Sequence, residues 1–133
     1  MAVIGRLLRI IEEREALLDR YSPDELSDIK TYYSAIYLLQ TQAQALIDLA
    51  QRAATLMGME VSGYVDAGEK LSILGVISPE DLRLYKSIVT FRNIVVHQYA
   101  VVDLEVIRRI IANKEYRKVT ELARKIASRI NDP

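Results

Sequence analysis

The sequence predicts an all-α protein, an up-and-down bundle of about five or six helices that forms a single domain over residues 1–133. Apolar residues recur at helical spacing along most of the chain. Serine–proline pairs and glycines mark the starts and ends of these segments, and no segment shows the two-residue alternation of a β-strand. Half of the 133 residues are hydrophobic, which is enough to form a buried core.

The first two predicted helices occupy the N-terminal half. An amphipathic pattern predicts helix one over residues 2–20. Ser22-Pro23-Asp24-Glu25 combines an N-cap hydroxyl, a proline at the first helical position and a glutamate three residues after the cap. We therefore expect helix two to begin there and to continue to Met57, before Gly58. Because about 35 helical residues span roughly 50 Å, the sequence predicts that this helix bends or packs on a second subunit.

Helices three and four follow in the second half. After a loop over residues 58–63, helix three is expected over residues 64–74, and Gly75 marks its end. A second cap-plus-proline pair, Ser78-Pro79, predicts the start of helix four. This helix reaches the β-branched pair Val95-Val96, which weakens helices.

Two shorter helices complete the predicted bundle. A turn is expected over residues 100–102, and Asp103 is placed to cap a fifth helix that ends at Ala112. Asn113 and Lys114 interrupt the pattern, and apolar spacing predicts a sixth helix from Tyr116 onward.

Composition excludes several functional classes. The chain contains no cysteine, so disulfides and thiolate-bound metals are excluded and a cytoplasmic location is expected. No export leader is recognised, and the apolar runs are too short for a membrane-spanning helix of about 20 residues. The five glycines form no phosphate-binding loop, and one histidine is a poor basis for a metal site. We expect no metal, no cofactor and no membrane span.

The C-terminal third is basic, although the formal net charge of the whole chain is zero. From Arg92 to the end, the chain has nine lysine or arginine residues and five acidic residues. Ordinary solvated helix faces are the default interpretation of these charges. The alternative is a surface that guides phosphates toward Arg92.

One short segment combines the groups that phosphodiester chemistry needs. Arg92-Asn93-Ile94-Val95-Val96-His97-Gln98-Tyr99 contains a permanent cation, an amide, an imidazole and a phenol. Metal-free RNA cleavage requires removal of the ribose 2′-hydroxyl proton, stabilisation of phosphoryl charge and protonation of the leaving oxygen, roles suited to His97 and Arg92. The alternative is that His97 only ends a helix and favours its dipole, while Arg92 is a surface charge. Chemistry alone favours this alternative.

The spacing of the two groups raises a geometric problem. A straight helix separates Arg92 and His97 by roughly 140° around its axis, whereas Asn93 and His97 lie about 40° apart. Either the helix loosens at Val95-Val96, or two copies of helix four meet across a two-fold axis and share groups in one cleft. We favour the two-fold arrangement.

The segment resembles the signature of HEPN domains, which is an arginine, a polar residue that is usually Asn, Asp or His, a short spacer and a histidine. Arg92, Asn93 and His97 match this signature, and Tyr99 completes the longer Arg-x4-His-x-Tyr pattern of the HepT-like subgroup. Residues 43–50 also resemble the second helix of that subgroup. The resemblance covers most of the chain.

Similarity to HepT-like HEPN ribonuclease toxins implies a homodimeric bundle that cleaves RNA without a metal, as the toxin of a toxin–antitoxin pair. His97 would be the general acid or base, Arg92 would hold the scissile phosphate, and Asn93 would orient His97 or the phosphate. Tyr99 resembles the tyrosine that an MntA-like nucleotidyltransferase antitoxin nucleotidylates to silence the toxin. The added phosphate would occupy Arg92 and repel RNA. The implied partners are RNA, this antitoxin and a second copy, in a dimer or in a higher oligomer with the antitoxin.

Two other functions stay open. One is a non-catalytic helical module that binds a nucleotide or a partner and regulates a nucleotidyltransferase, and the other is a purely structural helical dimer. The tyrosines of helix two, Tyr32, Tyr33 and Tyr37, suit core or dimer packing better than an RNA-stacking platform. Tyr85 and Lys86 are left outside the site.

Overall fold

The computed structural model describes residues 2–98 and 102–132, and these residues contain six α-helices and no strand. The helices are α1 (Val3–Leu18), α2 (Ile29–Leu56), α3 (Tyr64–Ile73), α4 (Pro79–His97), α5 (Leu104–Ala112) and α6 (Tyr116–Ala127). The predicted all-α class is confirmed. Among the helices described, none combines the length and the hydrophobicity needed to cross a membrane. The turn expected over residues 100–102 lies, except for Val102, outside the described residues.

The central helix of the bundle is α2. It packs against α1, α3, α4 and α6, and α1 also packs against α6. Close approach is possible because its buried face carries small side chains, namely Ala43, Ala45, Ala50, Ala53 and Ala54. The main core cluster contains side chains of α1, α2, α3, α4 and α6. A second cluster contains side chains of α2, α5 and the end of α4, together with Leu18, Leu26 and Tyr116. The two ends of α4 are therefore anchored in different parts of the core.

The start of α2 differs from the prediction. Ser22 and Glu25 form the expected capping box, in which the Ser22 backbone N–H donates to Glu25 Oε1 at 3.3 Å, but this box begins only a 3-10 helix, Pro23–Ser27. Asp28 then supplies a second cap, since its Oδ2 accepts from the Thr31 backbone N–H at 3.0 Å. The prediction of one helix from residue 22 was wrong because the Asp28 carboxylate competes for the backbone donors. With 28 residues, α2 spans about 42 Å.

The start of α4 agrees with the prediction. Ser78 Oγ accepts from the Asp81 backbone N–H at 3.0 Å, Asp81 Oδ2 accepts from the Ser78 backbone N–H at 3.0 Å, and Pro79 occupies the first helical position. Lys125 of α6 also pairs with Asp81. Although burial acts to raise the pKa of Asp81, its hydrogen bonds from Lys125 and Ser78 hold that pKa below its ordinary value. The start of α4 is thus fastened to α6.

The first turn of α1 is capped from the opposite end of the sequence. Ala2 provides no capping side chain, but Asp132 Oδ2 accepts from the Ile4 backbone N–H at 2.9 Å, and Asp132 Oδ1 accepts from Arg52 at 3.0 Å. The hydrogen bonds from Ile4 and Arg52 hold the pKa of Asp132 below its ordinary value. The segment after α6 is therefore fastened to both α1 and α2.

Candidate active site

Arg92 is the centre of the candidate site. It is partly buried on α4, and its side chain reaches α2 and α3. Its Nε–H donates to Gln44 Oε1 at 2.7 Å, and one Nη1–H donates to Oδ1 of the adjacent Asn93 at 3.0 Å. Its Cζ lies 5.2 Å from the ring centroid of Tyr64, a cation–π distance. Because a guanidinium has five N–H donors, three of them are not engaged by the described residues and can bind an anion.

Further contacts hold Gln44 and Tyr64, two of the three residues that touch Arg92. Gln44 Nε2 donates to Asp48 Oδ1, one helical turn along α2, at 2.9 Å. The Tyr85 hydroxyl donates to the Tyr64 backbone oxygen at 2.6 Å, and the Tyr85 ring packs against Gly68 of α3. Burial, together with the negative charge of Asp48, raises the pKa of the Tyr85 phenol above its ordinary value, so the hydroxyl stays a proton donor.

His97 is the last residue of α4, and its side chain is exposed. The helix is continuous through Val95 and Val96, and the Gln98 backbone N–H closes its last turn by donating to Ile94 O at 2.8 Å. Of the two arrangements considered, the one in which α4 loosens at Val95-Val96 is therefore wrong. Val95 is buried in the second core cluster, and this packing outweighs the weak helix propensity of β-branched residues.

The regular geometry of α4 keeps the two principal groups apart within one chain. Arg92 and His97 are separated by roughly 140° around the helix axis. Asn93 lies beside Arg92 and accepts its hydrogen bond, so its observed contact is with the cation. Tyr99 lies outside the described residues, and its proposed role stays a prediction. The two-fold arrangement that would bring Arg92 and His97 together also stays a prediction.

Four of the nine lysine and arginine residues in the basic C-terminal third form ion pairs with the described residues. These pairs are Arg108 with Glu105 at 2.7 Å, Arg117 with Asp19 at 3.1 Å, Arg124 with Glu12 at 2.7 Å, and Lys125 with Asp81. Arg129 donates to Gly75 O at 2.9 Å. These contacts favour solvated helix faces over a phosphate-guiding surface. Within residues 2–98 and 102–132, no three His, Cys, Asp or Glu side chains form a group that could hold a metal ion.

The tyrosines of α2 divide into two groups. Tyr32 is partly buried, and its hydroxyl donates to Val102 O at 3.2 Å. Tyr33 and Tyr37 are each 58% exposed. Core packing is therefore the wrong assignment for Tyr33 and Tyr37. Their packing against a second copy stays a prediction.

Sequence reasoning missed Gln44 and Tyr64. One signal was present, since Gln44 and Asp48 are polar residues, one turn apart, in the otherwise apolar stretch 43–50. Tyr64 has no comparable signal, because it follows Gly63 as an ordinary first residue of a helix. Tyr85, which we left outside the site, supports it through its contact with the Tyr64 backbone.

Comparison with solved structures shows which proteins have this fold. A tri-AMPylated HEPN toxin of Shewanella oneidensis in complex with MNT antitoxin gives a TM-score of 0.79 at 20% identity, covering 95% of this chain and 97% of that chain. A toxin–antitoxin with AMP-PNP gives 0.83 at 19% identity, covering 93% and 97%. YutE, a cytosolic protein of unknown function from Bacillus subtilis, gives 0.77 at 15% identity, covering 96% and 92%. At these identities the similarity shows a shared fold.

Sequence comparison identifies the family. No curated protein sequence matches the chain significantly. The family model described as Ribonuclease HepT-like matches residues 7–126, which include α2, α3, α4 and α5 in full together with Arg92, Asn93 and His97. Because this match covers nearly the whole chain, the protein belongs to the ribonuclease HepT-like family.

Proposed function

We propose that this chain is a cytoplasmic endoribonuclease that needs no metal ion and acts as the toxin of a toxin–antitoxin pair. The observation that carries the proposal is the arrangement on α4. Neighbouring side chains hold Arg92, the described residues leave three of its N–H donors unengaged, and the only histidine of the sequence is exposed at the helix end. Family membership supports it. So do the toxin–antitoxin complexes among the structures that share this fold.

In the proposed reaction, His97 takes the proton from a ribose 2′-hydroxyl. The 2′-oxygen then bonds to phosphorus and the bond to the 5′-oxygen breaks, which leaves a 2′,3′-cyclic phosphate and a 5′-hydroxyl. Arg92 binds the non-bridging oxygens, where negative charge increases in the transition state. Asn93 keeps the guanidinium in place through the hydrogen bond that it accepts.

A homodimer completes the proposed site. Protonation of the leaving 5′-oxygen needs an acid while His97 acts as the base, and each chain has a single histidine. Two α4 helices that meet across a two-fold axis place both copies of His97 and both copies of Arg92 in one cleft. Within each chain Arg92 and His97 stay roughly 140° apart around α4, but in this arrangement Arg92 of one chain can lie beside His97 of the other.

Tyr99 is the proposed point of silencing. An MntA-like nucleotidyltransferase would transfer a nucleoside monophosphate from a nucleoside triphosphate to the phenol oxygen and release pyrophosphate. The new phosphodiester would carry negative charge two residues after His97, compete with RNA for Arg92 and block the cleft. The tri-AMPylated HEPN toxin in complex with MNT antitoxin supports this part of the proposal, because it has the same fold.

RNA cleavage by purified protein tests the proposal. A mixed RNA pool is incubated with EDTA and with wild-type protein whose unmodified Tyr99 has been confirmed by mass, and the new ends are identified chemically. We expect cyclic-phosphate ends, and a loss of at least about 100-fold in rate for His97→Ala and Arg92→Ala. Arg83→Ala is the matched control, because Arg83 is an exposed arginine on the same helix.

Two results would contradict the proposal. Undiminished cleavage by purified His97→Ala or Arg92→Ala would assign the activity to another site or to a contaminant. Intact RNA with unmodified wild-type protein, combined with nucleotide or nucleotidyltransferase binding that Arg92→Ala weakens, would favour the non-catalytic binding module.

A further inference from the structure

We infer that Gln44 and Tyr64 are positioning residues that decide which edge of the Arg92 guanidinium faces the substrate phosphate. This inference rests on the proposed function, because it assigns a substrate to Arg92. Gln44 and Tyr64 come from α2 and α3, outside the α4 motif, and both touch the guanidinium directly.

The hydrogen bond from Arg92 to Gln44 determines the available edge. A guanidinium can bind a phosphate with two parallel N–H groups, either through its Nε–Nη2 edge or through its Nη1–Nη2 edge. The Arg92 Nε–H is already donated to Gln44 Oε1 at 2.7 Å. The Nε–Nη2 edge is therefore closed to two-pronged binding, and the phosphate is left with the protons on Nη1 and Nη2, one of which Asn93 takes on Nη1. Tyr64 covers one face of the same group at 5.2 Å.

The orientation of the Gln44 amide follows from its two neighbours. Asp48 can only accept a hydrogen bond when ionised, and Arg92 can only donate. The amide nitrogen must therefore face Asp48, at 2.9 Å, and the amide oxygen must face Arg92. A neutral amide holds Arg92 without cancelling its charge, whereas a glutamate at position 44 would form an ion pair with Arg92 and compete with the phosphate.

Tyr64 contributes the face of its ring. The Tyr64 backbone oxygen accepts the Tyr85 hydroxyl at 2.6 Å, and Tyr85 is fully buried, so the start of α3 is held at a fixed place beside Arg92. A phenylalanine at position 64 would keep the ring and its contact with the cation. A leucine would fill similar space but would lose that attraction.

The experiment combines kinetics with an observation of Arg92 that does not depend on activity. Steady-state RNA cleavage is measured for Gln44→Ala, Gln44→Glu and Tyr64→Leu, with Gln40→Ala as the control and Tyr64→Phe as the conservative variant that keeps the ring. Gln40 is a partly buried glutamine one turn earlier on α2. Each Gln44 variant is also combined with Arg92→Lys. The Arg92 Nε–H resonance, assigned by its absence in Arg92→Lys, is followed by nitrogen-15 NMR.

The expected pattern separates positioning from folding. Gln44→Ala and Tyr64→Leu should lower kcat/KM by about tenfold, which corresponds to one misplaced or lost contact in the transition state. In the Arg92→Lys background, Gln44→Ala should change kcat/KM by less than about twofold, because its effect acts through Arg92. The Nε–H should exchange slowly with solvent in the wild type and in Gln40→Ala, and quickly in Gln44→Ala. In Gln44→Glu the Arg92 Nε–H should still exchange slowly, whereas kcat/KM should fall.

Other outcomes overturn the inference or the proposed function separately. An equal loss from Gln44→Ala in the wild-type and Arg92→Lys backgrounds would show a merely structural role and overturn the inference. Fast exchange of the wild-type Nε–H would also overturn it. If the wild-type Nε–H exchanges slowly but the protein cleaves no RNA, the inference that Gln44 holds Arg92 is supported and the proposed ribonuclease function is overturned.

Discussion

Gly68→Ala should destabilise the fold, although alanine normally stabilises a helix. Gly68 lies inside α3, and a Cβ added there would be 2.6 Å from Tyr85 Cε2 and closer still to Tyr85 Cδ2. These distances are shorter than any carbon–carbon contact in a packed core. Tyr85 is 0% exposed, and its hydroxyl donates to the Tyr64 backbone oxygen, so a shift of the ring would disturb both the core and this hydrogen bond.

Two opposing effects set the magnitude. Replacing a helical glycine with alanine favours folding by about 1 kcal/mol. Overpacking a well-packed core costs about 1–3 kcal/mol, and the upper value applies here because a ring held on several sides must shift. The net loss in the free energy of unfolding should be about 2 kcal/mol. For a chain of 133 residues, this loss lowers Tm by about 7 °C.

Thermal and urea unfolding followed by circular dichroism measure this loss. Gly5→Ala is the matched control, because Gly5 is an exposed glycine in α1, and it should raise stability by about 0.5–1 kcal/mol. Gly68→Ala combined with Tyr85→Leu should lose less stability than the sum of the two single changes, since the smaller side chain relieves the clash. A Gly68→Ala protein as stable as Gly5→Ala would refute the reasoning.

The remaining predictions concern buried and ionised side chains. Gln42→Leu should lower the free energy of unfolding by about 1–2 kcal/mol in urea titrations, because Gln42 is 1% exposed and donates to Tyr116 O at 3.1 Å. Asp132→Asn should lower the urea midpoint at pH 7 and lower it less at pH 3, because hydrogen bonds from Ile4 and Arg52 lower the folded-state pKa of Asp132. The ionised Asp132 carboxylate therefore stabilises the fold above pH 3.8, its ordinary pKa. This stabilisation is lost as the pH falls through the lower folded-state pKa. Asp19→Asn should likewise make the urea midpoint fall less between pH 7 and pH 3, because the hydrogen bonds from Tyr116 and Arg117 lower the pKa of Asp19.

The helix order could be predicted from the sequence because local signals determine most helix ends. Ser78-Pro79 begins α4 as expected, since its cap partner Asp81 lies within the same turn. The region before α2 shows the limit of this reasoning. Ser22 and Asp28 are both good caps, and local rules do not choose between them. In the structure, the chain turns between Ser22 and Asp28, and Leu26 in this turn is buried in the second core cluster. This long-range packing is not visible to local rules.

The candidate site likewise has residues that the sequence predicts and residues that only the fold reveals. Arg92, Asn93 and His97 could be found from the sequence because they lie within two turns of one helix and form a recognisable pattern. Gln44 stands out as a polar residue in an apolar stretch, but it lies 48 residues from Arg92, and the sequence does not show that the two side chains meet. Tyr64 is brought to Arg92 only by the packing of α3 on α4. Local chemistry thus identified the groups that we propose to act on a phosphate, and tertiary packing determines how Arg92 is held.

The continuity of α4 leads to a final prediction about assembly. If both copies of His97 share one cleft of a dimer, as proposed, a dimer with one His97→Ala chain lacks either the base or the acid. After complete subunit exchange between equal amounts of wild-type and His97→Ala protein, about one quarter of the dimers are fully wild type. Cleavage should therefore fall to about one quarter of the rate of wild-type protein at the same total concentration. A rate of about one half would show that each chain contributes independently, and the shared cleft would then be wrong. Arg83→Ala in place of His97→Ala should leave the rate unchanged, because Arg83 is exposed on α4 away from the Arg92 contacts.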